Sequence, residues 1–248
     1  MLHLIQITDF HLFSDPQGAL KGVNTLNSLN TVVQDCRRRY PVPDLVLITG
    51  DVSHDGSAAS YQQCRGILAD LTAPVMSLPG NHDVMSVMQQ EFAGGRISNE
   101  RCRQIKGWNI MMLNTAMHDK EGGFLVVDEL AFLDEMLQNW PDYPALVALH
   151  HPPVAVGSRW LDTIGLVNIE EFFDVLDRHA QVRGIIFGHI HQAFEMQRKS
   201  VYFMGTPSTC IQFMPNEDNF VLDDVAPGFR WLDLHADGTV ETGIVRLD

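Results

Sequence analysis

Five short apolar runs in this chain each end in polar residues that burial does not explain. Leu2 to Ile7 leads into Asp9-Phe10-His11, and Leu45 to Ile48 into Gly50-Asp51. Val75 to Leu78 leads into Gly80-Asn81-His82-Asp83, and Leu146 to Leu149 into His150-His151-Pro152-Pro153. Gly184 to Phe187 is followed by Gly188-His189-Ile190-His191. Runs of this length read as buried strands, and Ile110 to Leu113 reads as a sixth. Between them, Asn24 to Tyr40, Ser57 to Leu71, Asp128 to Trp140 and Asn168 to Ala180 carry helical periodicity, with Ser57 placed as an N-cap. Strands alternating with helices predict an α/β fold, a parallel or mixed sheet with helices outside. In such sheets ligands bind at the carboxyl edge of the strands, so the five polar clusters are expected to converge there. Past Gly188 the pattern turns β-rich, and Arg230 to Leu247 reads as a hairpin around Ala236-Asp237-Gly238.

The clusters supply seven side chains suited to metal binding: Asp9, His11, Asp51, Asn81, His150, His189 and His191. They are oxygen and nitrogen donors with no thiolate, and they exceed what one ion needs. With Asp51 bridging, two ions receive four protein ligands each and keep positions open for water and substrate. Such pairs sit ~3.5–4 Å apart, clamp the attacking and leaving oxygens of a phosphoester, and acidify a bridging water to hydroxide. Imidazole with carboxylate favours Fe, Mn, Zn or Co over Ca or Mg. In an extended segment Asp9 and His11 would share one side, as would His189 and His191. Gly50, Gly80 and Gly188 are expected to permit the sharp turns that aim these side chains back over the strand ends.

Composition narrows the substrate. A net charge of −14 over 248 residues repels polyanions, so a nucleic-acid polymer is not the expected partner. Arg37-Arg38-Arg39 is read as the cationic end of a helix. No apolar stretch approaches the ~18 residues that span a bilayer, so no membrane partner is expected. No linker or repeat divides the chain, which predicts one domain over 1–248 with its β-rich part, 194–248, packed on the core. Cys36, Cys64, Cys102 and Cys210 are widely spaced without a C-x-x-C pair. With an N-terminus unlike a secretory signal, this suggests reduced thiols in a cytoplasmic protein.

Taken in order, D-x-H, G-D, G-N-H-D, H-x-P and G-H-x-H resemble the signature of the calcineurin-like metallophosphoesterase superfamily. The resemblance implies a four-layer α/β/β/α sandwich with mixed sheets. It implies that Asp9, His11, Asp51 and His191 hold one metal, and that Asp51, Asn81, His150 and His189 hold the other. His150 is taken over His151 because the family's ligand sits two residues before the proline. Gly22-Val-Asn-Thr, Trp160-Leu-Asp, Thr206 to Phe213 and Ala226 to Thr239 are similar to bacterial 3′,5′-cyclic AMP phosphodiesterases of this superfamily, the class III type. Phe10 departs from the Thr or Ser frequent there, and its side chain is expected to point away from the metals.

The function implied is hydrolysis of a cyclic nucleotide, 3′,5′-cyclic AMP to 5′-AMP, by a metal-bridging hydroxide, with Fe or Mn the first expectation. Alternatives are another small phosphoester, such as a glycerophosphodiester or a nucleotide, and a non-enzymatic scaffold, which the intact donor set argues against. His82 is the catalytic candidate, serving the leaving oxygen, with Asp83 orienting it; Asn81, His82, His191 and His54 are expected to touch substrate. Asp55 is read as a cap, His151 as a residue that shapes the pocket, and His118 is weighed between pocket and surface. Asn114, Thr206 and Phe213 are candidates for base contact. Relatives often pair, which makes a homodimer a further expectation.

Overall fold

In β1 (Leu2–Ile7), Leu2 and Leu4 turn to one side of the strand while Ile5 and Ile7 turn to the other, and all four are buried. A strand covered on both faces has no polar side to present, so its sequence reads as one apolar run. β4 (Leu45–Thr49) and β9 (Ala145–Leu149) divide their side chains in the same way.

The computed structural model describes residues 1–248. After β1 come two short strands, β2 (Ala19–Leu20) and β3 (Val23–Asn24), then α1 (Thr25–Arg39), β4, α2 (Ala58–Leu68), β5 (Val75–Leu78), α3 (Met85–Phe92) and β6 (Ile97–Ser98). β7 (Cys102–Ile105), β8 (Trp108–Met112), α4 (Val127–Asn139) and β9 follow, then α5 (Arg159–Asp162), α6 (Ile169–Leu176) and β10 (Val182–Phe187). The chain ends with β11 (Phe194–Arg198), β12 (Val201–Gly205), β13 (Gln212–Phe213), β14 (Leu222–Asp223), β15 (Gly228–Leu234) and β16 (Val240–Arg246).

Two six-stranded mixed sheets result, ordered β16-β15-β1-β4-β5-β6 and β11-β12-β10-β9-β8-β7. Three apolar cores separate four layers. One lies between the first sheet and α1, α2 and α3, and another between the second sheet and α4 and α6. The third, including Leu4, Leu47, Trp108, Leu146, Ile186 and Leu232, fills the space between the sheets. This is the α/β/β/α sandwich the motif order implied. The β-rich C-terminal segment is not a layer of its own: β11 and β12 extend one sheet, and β15 and β16 the other. No helix is long and apolar enough to cross a membrane.

The helix ends follow local chemistry. Asn24 caps α1 by accepting from Asn27 N, and Ser57 caps α2 by accepting from Ser60 N. α6 is shorter than its periodicity predicts, because Asp177 closes it and the residues to Ala180 form a turn. The Arg37–Arg39 cluster does close α1, and Asp35 pairs with Arg38 and Arg39.

Between the sheets, a polar belt joins the apolar core. Gln6 Nε2 donates to Thr49 Oγ1 at 2.9 Å and to the Phe187 carbonyl at 3.2 Å, while Thr206 Oγ1 donates to Gln6 Oε1 at 2.6 Å. The Arg230 side chain, 0% exposed, crosses from β15 to the other sheet. It donates to Glu195 at 2.7 Å, to Thr242 at 2.9 Å, to Thr206 at 3.2 Å and to the carbonyls of Gly205 and Phe194 at 3.0 and 3.4 Å. Truncation leaves the buried Gly205 carbonyl and Thr206 hydroxyl without this donor, while half-exposed Glu195 turns to solvent, and Arg230→Ala is expected to cost about 1–3 kcal/mol. Urea denaturation measures it; a loss below about 1 kcal/mol contradicts a role in joining the sheets.

Candidate metal centre

The carboxyl ends of β1, β4, β5, β9 and β10 bring all seven predicted donors together at one edge. Asp9, His11, Asp51, His150, His189 and His191 are buried there, and Asn81 is partly exposed. Their arrangement differs from the extended segments expected. Asp9, His11, Asp51, His189 and His191 have φ of 57°, 49°, 52°, 68° and 48°, the left-handed region. Each such residue costs of order 1–3 kcal/mol and persists because neighbours hold it. Asp9 N donates to the Gly50 carbonyl at 3.0 Å and His11 N to that of Asp51 at 2.9 Å. Ser208 Oγ secures the Asp9 carbonyl at 2.7 Å, and His189 N donates to both Asp9 carboxylate oxygens at 3.1 Å.

The glycines also act differently from expectation. Gly50 has φ of +99°, but Gly80 and Gly188 do not have positive φ. A Cβ on Gly80 would strike the Asp51 carboxylate, and one on Gly188 would strike Thr8 and Asp9. Their value is close approach rather than turning.

Ring tautomers decide what this cluster binds. His191 Nδ1 lies 2.9 Å from the Ile211 carbonyl and His150 Nδ1 lies 2.7 Å from that of Thr49. A carbonyl only accepts, so each Nδ1 carries the proton and a neutral ring presents a bare Nε2 to the site. His191 Nε2 faces His11 Nε2 at 3.1 Å and Asp9 Oδ1 at 3.4 Å. His150 Nε2 faces Asp51 Oδ2 at 3.4 Å and Asn81 Oδ1 at 3.2 Å, and His11 Nε2 lies 3.6 Å from the same Asp51 oxygen. His189 turns Nδ1 to Asn81 Oδ1 at 3.1 Å, and its Nε2 is buried without a partner. Lone pairs crowded this closely call for a proton or a cation among them, and the donor set fits divalent cations.

The electrostatics agree. Burial opposes charge on Asp9 and Asp51, but His191 beside Asp9, and His150 and His11 beside Asp51, outweigh it and hold both carboxyls low. Burial also opposes charge on His150, yet Asp51, Asp9 and the Thr49 carbonyl push it up to about 9. Burial, with His150 nearby, holds His189 down at about 3. The carboxylates that favour positive charge on His150 equally favour a cation among these donors.

His151 also comes within reach of His150 and His189. Both its ring nitrogens are engaged, Nδ1 with Thr115 Oγ1 at 2.7 Å and Nε2 with the Glu121 carbonyl at 3.0 Å, so it shapes the wall. Phe10 is fully buried in the helix-side core, pointing away from the donors. His118 lies on the surface beside Asp119.

His54 lines the cavity and sets its Nδ1 3.2 Å from His11 Nδ1, behind the donor shell. His82 lies against His54 with ring centroids 4.7 Å apart and planes 20° apart, and its ring makes no hydrogen bond within the chain. Its backbone N donates to Asp51 Oδ1 at 3.0 Å. The expectation that Asp83 orients the His82 ring is corrected. The Asp83 carboxylate accepts from Gly80, Ser53 and Val52 backbone N at 2.9, 2.9 and 3.2 Å and from the Tyr61 hydroxyl at 3.0 Å. It ties the β4 and β5 loops together; burial and the Asp51 charge push it up to about 6.

The donors open into a cavity of about 470 Å³ whose far wall is apolar, with Leu20, Trp160, Phe213 and Phe220. Of the base-contact candidates only Phe213 lines it. Thr206 is committed to Gln6 and Arg230, and Asn114 caps its own loop through Ala116 N.

Residues 2–193 match the calcineurin-like phosphoesterase family, and the chain belongs to it. It is a phosphoesterase, a hydrolase with a divalent metal centre. Over 99% of its length it is 41% identical to the 3′,5′-cyclic adenosine monophosphate phosphodiesterase CpdA of Pseudomonas aeruginosa, covering 90% of that protein. It is 40% identical, over 99% of its length and 92% of the relative's, to a 3′,5′-cyclic-nucleotide phosphodiesterase of Nostoc. The CpdA of Escherichia coli K12 is 38% identical over 99% of this chain and 90% of its own. A dimetal phosphatase from Danio rerio shares the fold, with a TM-score of 0.69 at 15% identity over 99% of this chain and 98% of its own. So does a purple acid phosphatase from yellow lupin, with a TM-score of 0.64 at 14% identity over 99% of this chain and 53% of its own.

Because Gly80 has no Cβ where Asp51 lies, Gly80→Ala should displace that carboxylate. The expected outcome is a folded protein whose bound metal, measured by plasma emission after desalting, falls at least severalfold. Undiminished metal content in that variant contradicts a ligand role for Asp51.

Proposed function

We propose that the enzyme hydrolyses 3′,5′-cyclic AMP to 5′-AMP at a pair of divalent ions, with Fe or Mn preferred and Zn or Co able to serve. The observation that carries this reading is identity over nearly the whole chain to proteins named as cyclic nucleotide phosphodiesterases. The seven convergent donors and an adjoining cavity of nucleotide size support it. Asp9, His11, Asp51 and His191 would hold one ion, and Asp51, Asn81, His150 and His189 the other. The ions, when bound, polarise the phosphate and make water acidic enough to supply hydroxide near neutral pH.

The chain's own residues do the rest. The Thr49 and Ile211 carbonyls fix the proton on Nδ1 of His150 and His191, holding both rings in the tautomer that offers Nε2. The water oxygen joins phosphorus as the P–O3′ bond breaks, and the departing O3′ takes a proton from the His82 ring. That ring is suited to the task because it lines the cavity and spends no nitrogen inside the chain. His54 stacks on it and supports His11, which makes His54 a positioning residue. Asn81 and His191 lie where they would also face the phosphate. Residues 1–248 would act as one unit, and the four free cysteines suit a cytoplasmic setting.

His82→Ala should keep its bound metal while kcat on cyclic AMP falls about 10²- to 10⁴-fold. Joint loss of metal and activity would make His82 a ligand instead. Rates on cyclic AMP, a glycerophosphodiester and a nucleotide monophosphate, with and without chelator, test the substrate. Cyclic AMP should lead and chelator should abolish turnover; a faster glycerophosphodiester overturns the reading.

A further inference from the structure

We propose that Phe213, Trp160 and Phe220 form a stacking subsite for the base of a nucleoside phosphate whose phosphate lies at the metal centre. The proposal rests on the substrate class above and deepens it by assigning the base to named rings.

The aromatic surface begins where the donors end. The Phe213 ring lies flat on the His191 imidazole, with centroids 4.1 Å apart and planes 6° apart. Trp160 and Phe220 meet Phe213 edge-on at 5.1 and 5.3 Å, and meet each other at 5.4 Å. Phe213 and Trp160 pack against the helix-side core of the second sheet. Phe220, by contrast, is 45% exposed while lining the cavity. A phenyl ring left in solvent at the mouth of a site costs free energy that a flat ligand recovers.

The wall is built before any ligand arrives. Trp160 belongs to α5, and Phe213 and Phe220 belong to the β13–β14 hairpin. Buried Ser158, before α5, accepts at Oγ from Asn216 N at 3.0 Å and from Gln192 Nε2 at 3.4 Å. Gln192 also donates to the Met214 carbonyl at 3.3 Å. The two lips are therefore fixed to each other and to the segment that carries His189 and His191.

Ligand chemistry follows from the neighbours. A nucleoside phosphate anchored at the metals carries a flat aromatic ring one sugar away from phosphorus, and every base offers a face for stacking. The glycerol of a glycerophosphodiester offers none. A choline group would seek an aromatic cage, but Lys21 already places Nζ 5.3 Å from the Phe220 ring centre, and like charge disfavours a second cation there.

Calorimetry on the metal-loaded protein tests this with 5′-AMP, ribose 5-phosphate and glycerophosphocholine as probes. AMP should bind about tenfold more tightly than ribose 5-phosphate, the typical worth of one stacked base. Phe220→Ala should shrink that gap to about twofold or less with ribose 5-phosphate affinity nearly constant, and Phe220→Trp should restore it. Equal affinities in the unaltered protein, a Phe220→Ala loss shared by both ligands, or tighter binding of glycerophosphocholine than of AMP each overturn the subsite. These arms need no turnover, so failure to hydrolyse cyclic AMP would remove the proposed substrate without touching this result.

Discussion

The structure is organised around nitrogen and oxygen acceptors brought face to face at one edge of the sheets, an arrangement that a cation between them satisfies. Thr49 and Ile211 carbonyls hold the protons of His150 and His191 on the outer nitrogen, which turns bare nitrogens toward the Asp51 and Asp9 carboxylates. A hydrophobic sandwich has no use for such an arrangement, since each unpaired buried charge destabilises it. Asp51 and Asp9 favour positive charge at His150 against burial, pushing it up to about 9. A cation held there would supply that positive charge and so couple the chemistry of the site to the stability of the fold.

Precision at the site comes from backbone rather than from side-chain volume. Five donors sit in left-handed conformations, and the loops after β1 and β4 hold each other through Asp9 N, His11 N and Leu12 N. Asp83 adds a carboxylate that gathers amides from the β4 and β5 loops, and Gly80 and Gly188 let backbone pass within contact of the acidic ligands. The polar belt of Gln6, Thr49, Thr206 and Arg230 ties the two sheets together beneath those loops, since Thr49 also anchors His150.

Much of this was legible in the residues. Strands buried on both faces leave continuous apolar runs with donors at their ends, so the α/β class and the donor cluster could be read from the residues, while the four layers came from the resemblance of the ordered motifs to a known family. The role of Asp83 could not, because its partners are backbone amides that any sequence supplies. The left-handed turns at Asp9 and His11 are equally silent, since Asp-Phe-His reads like an extended segment. α3 was missed because it follows the polar Asn81-His82-Asp83 cluster at once and buries only Met88 and Phe92, too few positions to mark a helical stripe. Of the aromatic wall, Phe213 drew notice, but Phe220 stands in a polar stretch, and only the β13–β14 hairpin brings it to Trp160.

The most direct measurement is anomalous diffraction from crystals of the Mn-loaded protein, collected on either side of the metal absorption edge. The account predicts two peaks about 3.5–4 Å apart with the Asp51 carboxylate between them. A single peak, or peaks remote from Asp51, would contradict it.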